Sequence, residues 1–394
     1  MTAEVGIINQ RGVALAADSA VTISKANGEV ITLNNANKLF TLSPLNRVGI
    51  MIYGNASFMD IPLDVLINSY SEKTAKETKP ALKNYVESLL RYLKDLNIYK
   101  KESEETFVIQ NAYAALKELP DNPQSVDDIE TALYKLQKEY NDTVINVDFN
   151  NFQKKYFEQV KSVFLTKYST KAFVDLFQLF LQVVAQIIAS SASLSNSSTG
   201  LVIAGYGNEE LFPSVYHLNL IGRYDNQIKY TVEDIKCTDP ITGKVSSGIM
   251  PFAQREMVDT VLNGIDPTLK DVVTNELVKI HQYMGQYLDE NYGQTEETKE
   301  LKEYLGKSVE RRYRELDDII KANYIQPIIA MLNNLSLQEL GQMAHTLVNL
   351  TSFKRKFSGD LRTVGGPIDV LVVSRKDGAQ WLTDKKTNKI FNHF

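Results

Sequence analysis

The sequence predicts an α+β fold of four layers, two β-sheets sandwiched between two helical layers, in a single domain over residues 1–394. Three observations predict it. Short apolar runs alternate with stretches of helical period in the order strands, helices, strands, helices, strands. The apolar runs are continuous rather than alternating, which is the pattern of strands covered on both faces. No repeat of roughly 20–50 residues and no low-complexity linker divides the chain.

The first block reads as strands at 5–8, 13–17, 38–42 and 48–52, separated by turn residues at 9–12, Asn27-Gly28 and Ser43-Pro44. From 56 to about 192 the period is helical. Leu63, Val65, Leu66 and Tyr70 begin one helix, and Leu82, Tyr85, Val86, Leu89, Leu90 and Leu93 mark a second. Residues 143–169 read as helix broken by loops. Within 172–190, Asp175, Gln178, Gln182 and Gln186 share a stripe, as an amphipathic helix requires and a lipid-facing span forbids. Phe173, Phe177 and Phe180 form an apolar stripe that either thickens the core or meets another subunit. Strands return at 201–206, 214–221 and 228–232, with a turn near Asn208. Helices follow from Pro251 to about Phe357, where Ile325, Ile328, Ile329 and Leu332 form a stripe and Pro327 starts or kinks a helix. A last strand at 368–373 turns through Lys376-Asp377-Gly378 into 380–382. Helical insertions at about 75–195 and 265–355 enlarge the two helical layers.

Composition narrows the function classes. The 43 Lys+Arg against 48 Asp+Glu give a net charge of −5, which speaks against a broad nucleic-acid surface. Cys237, the single cysteine, excludes an intramolecular disulfide and a cysteine-based zinc site. The four histidines, His217, His281, His345 and His393, include no pair at ligand spacing, so no metal or other cofactor is expected. The first residues carry neither a basic run nor an apolar stretch of signal length, so a cytoplasmic chain with no membrane partner is expected.

Several segments carry a resemblance. Thr2-Ala3-Glu4-Val5-Gly6-Ile7 is followed by Gly12-Val13-Ala14-Leu15-Ala16-Ala17-Asp18-Ser19-Ala20-Val21-Thr22, then by Asn37-Lys38-Leu39-Phe40 and Ile50-Met51-Ile52-Tyr53-Gly54-Asn55-Ala56. Downstream stand 202–206, Ser247-Gly248 with Pro251-Phe252, and 365–370 with Arg375-Lys376-Asp377-Gly378. In this order the blocks resemble a proteasome β subunit, an N-terminal nucleophile hydrolase. The likeness covers 2–73, 199–264 and 359–382, and the rest is helical material beyond what such a subunit carries.

The resemblance implies a threonine-type peptidase working through an acyl-enzyme ester. A threonine hydroxyl is a weak nucleophile, and the free α-amine of a first-position threonine can take its proton. With a reference pKa near 8, that amine is partly neutral at pH 7. Thr2 follows Met1, whose removal by a methionine aminopeptidase would expose the amine. By carry-over, Thr2 is the nucleophile, Lys38 lowers its pKa and Asp18 pairs with Lys38. The Gly54 N–H supplies the oxyanion hole, Ser247 polarises the amine, and Asp360 is its carboxylate partner. The segment Asp360-Leu361-Arg362-Thr363-Val364-Gly365-Gly366 is one residue longer than the family's Asp-x-x-Ser-Gly-Gly and lacks its serine. Val21, Thr22, Ala36, Ile52 and Ala56 are the substrate-binding positions. Val21, Ala36, Ile52 and Ala56 are apolar, which favours cleavage after apolar residues of a peptide or protein substrate. The resemblance also implies a homo-oligomer, in which rings enclose the active sites, and leaves any unfoldase partner unidentified. Two alternatives stay open: a catalytically silent assembly or partner-binding protein, and an amidohydrolase acting on non-protein amides.

Overall fold

A computed structural model describes residues 2–24, 30–43, 46–168, 175–194, 198–238, 247–357 and 365–384. The expected turn at Asn27-Gly28, Pro44 of the Ser43-Pro44 turn, Phe173 and Asp360 lie outside these residues. The protein is mixed α+β with antiparallel sheets.

The strands are β1 (Ala3–Asn9), β2 (Gly12–Asp18), β3 (Val21–Ser24), β4 (Val30–Leu33), β5 (Leu39–Thr41), β6 (Val48–Gly54) and β7 (Ser57–Phe58). They continue as β8 (Ile61–Pro62), β9 (Thr199–Gly205), β10 (Ser214–Tyr224), β11 (Gln227–Cys237), β12 (Gly248–Ala253), β13 (Ile368–Ser374) and β14 (Gly378–Thr383). The helices are α1 (Leu63–Thr74), α2 (Leu82–Asp95), α3 (Lys101–Lys117), α4 (Val126–Glu139), α5 (Phe149–Leu165) and α6 (Phe177–Ala189). After the second strand block come α7 (Glu256–Asn263), α8 (Pro267–Tyr292), α9 (Glu296–Ile320), α10 (Gln326–Leu332) and α11 (Leu337–Phe357). The chain falls into two compact units: Met1–Ala36, Pro240–Val372 and Trp381–Phe394 make one, Asn37–Asp239 and Val373–Gln380 the other.

The first unit is built on a sheet of order β12-β1-β2-β13-β14. Asn9 makes the β1–β2 turn: its side-chain oxygen accepts from the N–H groups of Arg11 (2.9 Å) and Gly12 (3.3 Å). Its Nδ2 donates to the carbonyls of Leu332 (2.8 Å) and Leu335 (3.0 Å), so the fully buried amide is satisfied on both sides. One sheet face, with Ala3, Val5, Ile7, Ala14, Ala16, Val370 and Val372, packs on Leu340, Ala344, Leu347 and Val348 of α11. The other face is buried as well, through Ile8, Leu15, Phe252 and Leu371.

One expectation is corrected here. Helices do not return at Pro251, which lies within β12 opposite Val5. Because β12 is the sheet's edge strand, a proline there removes no ladder bond to a further neighbour. At Pro327 a helix starts, as expected: α9 passes through a π-helical turn, Lys321–Ile325, into α10, which carries the proline in its first turn. Helices α8 and α9 form a long hairpin, capped by Asp266 ahead of Pro267 and by Thr295.

The second unit carries a sheet of order β11-β10-β9-β6-β5. Val48, Ile50, Ile52, Leu201, Ile203, Leu218 and Leu220 pack against the apolar stripes of α1 and α2. Strands β10 and β11 run longer than expected and meet in a two-residue turn at Asp225 and Asn226, with φ of 45° and 59°. Both residue types tolerate the left-handed region such a hairpin requires. Helices α3 to α6 enclose a separate core, joined by Ile221 and Tyr224 of β10. Within it α5 is continuous, where broken helix was expected, and Phe177 and Phe180 of α6 are core residues. Gln178 and Gln182 stay exposed, as the polar stripe predicts. Lys229 of β11 is fully buried and its Nζ donates to the Ile187 carbonyl (2.7 Å) in the last turn of α6, where Ser190 Oγ also donates (2.9 Å). Among the described residues no helix is long and apolar enough to cross a membrane.

Candidate active site

In the first unit, strand β1 brings Thr2 to the end of a buried sheet. Thr2 is 5% exposed, and its carbonyl accepts from the Gln254 N–H (3.3 Å). Its Oγ1 is buried and, among the described residues, has no hydrogen-bond partner. Asp18 closes β2, and the antiparallel register, Glu4 opposite Ala17, carries it to the same end. One Asp18 carboxylate oxygen accepts from the Ala3 N–H (3.1 Å) and the other from the Gly365 N–H (2.8 Å). Ser19 extends the junction: its hydroxyl donates to the Pro367 carbonyl (2.7 Å), and its own carbonyl accepts from the Ala36 N–H (3.1 Å). A carboxylate 1% exposed thus fixes the backbone on the C-terminal side of Thr2 and holds Gly365, while Ser19 beside it gathers Ala36 and Pro367. Val21 and Ala36 are half-buried nearby in sequence, and Thr22 lies in β3.

Ser247 is not part of this cluster. Strand β12 runs antiparallel to β1, so Gly248 faces Ile8 while Ala253 faces Ala3. At about 3.4 Å per residue, Ser247 stands roughly 20 Å along the strand from Thr2. Its hydroxyl is engaged by the Asn333 side-chain oxygen (2.5 Å). The assignment of Ser247 as amine-polarising group is therefore corrected. The turn that meets Thr2 is Ala253-Gln254, where Ala253 takes a left-handed φ of 46° and the Gln254 side chain accepts from Arg355 Nε (3.0 Å). A positive φ at alanine is costly, and such strain is concentrated at functional sites. Nothing in the local sequence marks it.

The remaining candidates belong to the second unit. Lys38 is 4% exposed just before β5, and its carbonyl accepts from the Ile52 N–H (2.9 Å). Gly54 ends β6 with φ of 78°, and a Cβ there would lie 3.1 Å from the Ser198 carbonyl oxygen. Glycine is needed at this position for both reasons. Ile52 belongs to the core between the sheet and α1–α2, whereas Ala56 is exposed. Next to Gly54, the Tyr53 hydroxyl and His217 Nε2 share a short hydrogen bond across β6 and β10. The Tyr53 ring lies over Gly200, where an added Cβ would come within 2.0 Å of it. Sequence reasoning had no signal for this pair, because only the strand order joins residues 164 apart.

Among the described residues no group of three or more His, Cys, Asp or Glu side chains could hold a metal ion. The chemistry this arrangement offers is that of a sequestered hydroxyl whose backbone is held by a buried carboxylate. No known family model matches the chain, and no curated protein matches it.

Proposed function

We propose that the protein is a threonine-type N-terminal nucleophile hydrolase that cleaves peptide bonds through an acyl-enzyme ester at Thr2. One observation carries the reading: the Thr2 hydroxyl is buried without a partner among the described residues, at a backbone that Asp18 pins through Ala3. Leaving a buried hydroxyl unpaired costs about 1–3 kcal/mol, a penalty that a reacting group justifies and a structural threonine does not. In this reading Met1 is removed and the α-amine takes the Oγ1 proton as Oγ1 attacks the carbonyl carbon. The buried charge of Lys38 stabilises the developing alkoxide, and the Gly54 N–H receives the oxyanion. The leaving amine takes the proton, and water then hydrolyses the ester. Val21, Ala36 and Ala56 favour an apolar side chain before the scissile bond.

The same reading takes the finer fold to be the four-layer sandwich expected from the sequence. Its support is that each sheet covers one face with helices of its own unit while the opposite face is also apolar and buried.

The test is chemical. Protein shown by intact mass to lack Met1 is treated with a peptide epoxyketone, which forms a ring using both the hydroxyl and the α-amine of one residue. The adduct is expected on Thr2, and Thr2→Ala is expected to lose both labelling and peptide hydrolysis while keeping its fold. Equal hydrolysis by wild type and Thr2→Ala refutes the assignment. A free Thr2 amine with neither labelling nor turnover favours the silent alternative.

A further inference from the structure

Helix α8 is 26 residues long and buries none of them. Its inner side faces α9, through an ion pair of Lys270 with Asp317 (2.6 Å), a second of Lys302 with Asp289, and His281 lying against Gly306. A different side carries Leu269, Val273, Glu276, Ile280, Tyr283 and Tyr287, spaced alternately four and three residues apart. That is the a/d series of a heptad seam sustained over the helix. The five apolar members are 43–66% exposed. Towards the hairpin tip the seam widens into an apolar groove of about 890 Å³ between Tyr283, Met284, Tyr287 and Tyr292 of α8 and Leu301 and Leu305 of α9.

The area is too large for an ordinary free surface. Tyr283, Tyr287 and Tyr292 are 66%, 59% and 64% exposed. They alone leave roughly 300–450 Å² of side chain uncovered, taking about 150–250 Å² for a whole ring side chain. The aliphatic members bring the patch towards the roughly 800 Å² per partner that a stable dimer buries, above the about 300–600 Å² patch usual on a monomer.

The charges identify the occupant. Glu276 is the one charged residue in the series, and Lys279 flanks it, the two paired at 2.7 Å on the same helix. The seam's midpoint, between Leu269 and Tyr287, falls at residue 278, so acid and base lie on either side of it. A two-fold axis at that point sets Glu276 level with Ile280 of an identical helix running the other way, with Lys279 of that helix one residue along from it, and the reverse. A seam that is apolar at both ends and oppositely charged about its centre complements itself. A buried polar pair within a heptad seam also fixes register.

We infer that α8 is the interface between two copies of this chain, packed antiparallel about residue 278 so that two hairpins form a four-helix bundle. The inference is independent of the chemistry at Thr2.

The experiment is sedimentation equilibrium of the full chain at micromolar concentration, with circular dichroism as the check on folding. Wild type is expected to sediment as a dimer or a multiple of it, and Ile280→Glu, on an exposed helix face, to fall to half that mass. Glu276→Lys and Lys279→Glu, each of which sets like charges together, are expected to raise the dissociation constant at least about tenfold. Mixed in equal amounts, the two charge variants are expected to recover the wild-type mass, since each then meets its opposite. A monomeric wild type overturns the inference, as does an oligomer that Ile280→Glu leaves intact. Failure of the mixture to recover overturns the antiparallel arrangement. A monomer that floats with phosphatidylcholine vesicles assigns the seam to lipid and overturns it too.

Discussion

Lys229→Met isolates the energetics of a lysine with no access to water. Burial pushes the Lys229 ammonium down from 10.5 to about 8, opposed only in part by Asp142. A lysine whose folded pKa lies below its unfolded one destabilises the fold wherever it is charged in both states, here below about pH 8. The penalty fades as pH rises from 8 to 10.5, because the folded protein releases its proton first. At about 1.4 kcal/mol per unit, the depression corresponds to about 3 kcal/mol at neutral pH. Methionine keeps the length of the chain, carries no charge, and leaves the Ile187 carbonyl with the Ser190 hydroxyl. Urea unfolding of both proteins at pH 7 and pH 10 is the assay. Wild type is expected to gain about 2–3 kcal/mol on the methionine variant over that interval. Tyrosines and surface lysines titrate in both proteins and cancel in the comparison. A gap that changes by less than about 0.5 kcal/mol refutes the reasoning, because it would mean that Lys229 titrates alike in both states.

Other perturbations test the frame around the site. Asp18→Asn turns one oxygen into an amide donor facing a backbone N–H, so chemical denaturation is expected to show a loss of about 1–3 kcal/mol. In the proposed mechanism the same variant loses hydrolysis. Gly200→Ala drives a methyl into the Tyr53 ring and is expected to cost about 1–3 kcal/mol, with Tyr53→Ala in the same chain restoring most of it in a double-mutant cycle. Asn9→Ala removes four hydrogen bonds from a fully buried position; a loss of at least about 3 kcal/mol in urea unfolding is expected.

The strands legible in the sequence are those with continuous apolar runs, such as 5–8 and 13–17, whose both-face burial is what the runs encode. Strand β12 was hidden because Pro251 reads as a helix start unless one knows that the strand lies at an edge. The far end of β11, from Glu233, is largely polar and exposed, so its hydrophobic pattern carried no strand signal. At the site, Thr2 and Asp18 were singled out by the family resemblance alone, and the β1–β2 register brings them to one end of the sheet. Ser247 was misplaced because its position depends on the direction of β12, which local spacing does not contain. The turn at Ala253 and the Tyr53–His217 pair are products of chain paths and strand order, and no composition rule anticipates either. The seam on α8 could have been found by testing the period of 3.5 over 269–287.

The position of β1 in its sheet also sets a timetable for synthesis. Val5 pairs with Pro251, and Asn9 donates to a carbonyl 323 residues further on. The partner of β1 on that side is made last among its neighbours but β13 and β14, while Asn37–Asp239 of the second unit emerges without interruption. At about 5–20 residues per second, the ribosome needs roughly 10–50 s to travel from β1 to β12. Through that interval the first strand has an open edge on that side. Once β12 arrives, the Gln254 N–H closes on the Thr2 carbonyl and residue 2 is shut in. Burial of residue 2 therefore waits on a strand that begins only at Gly248.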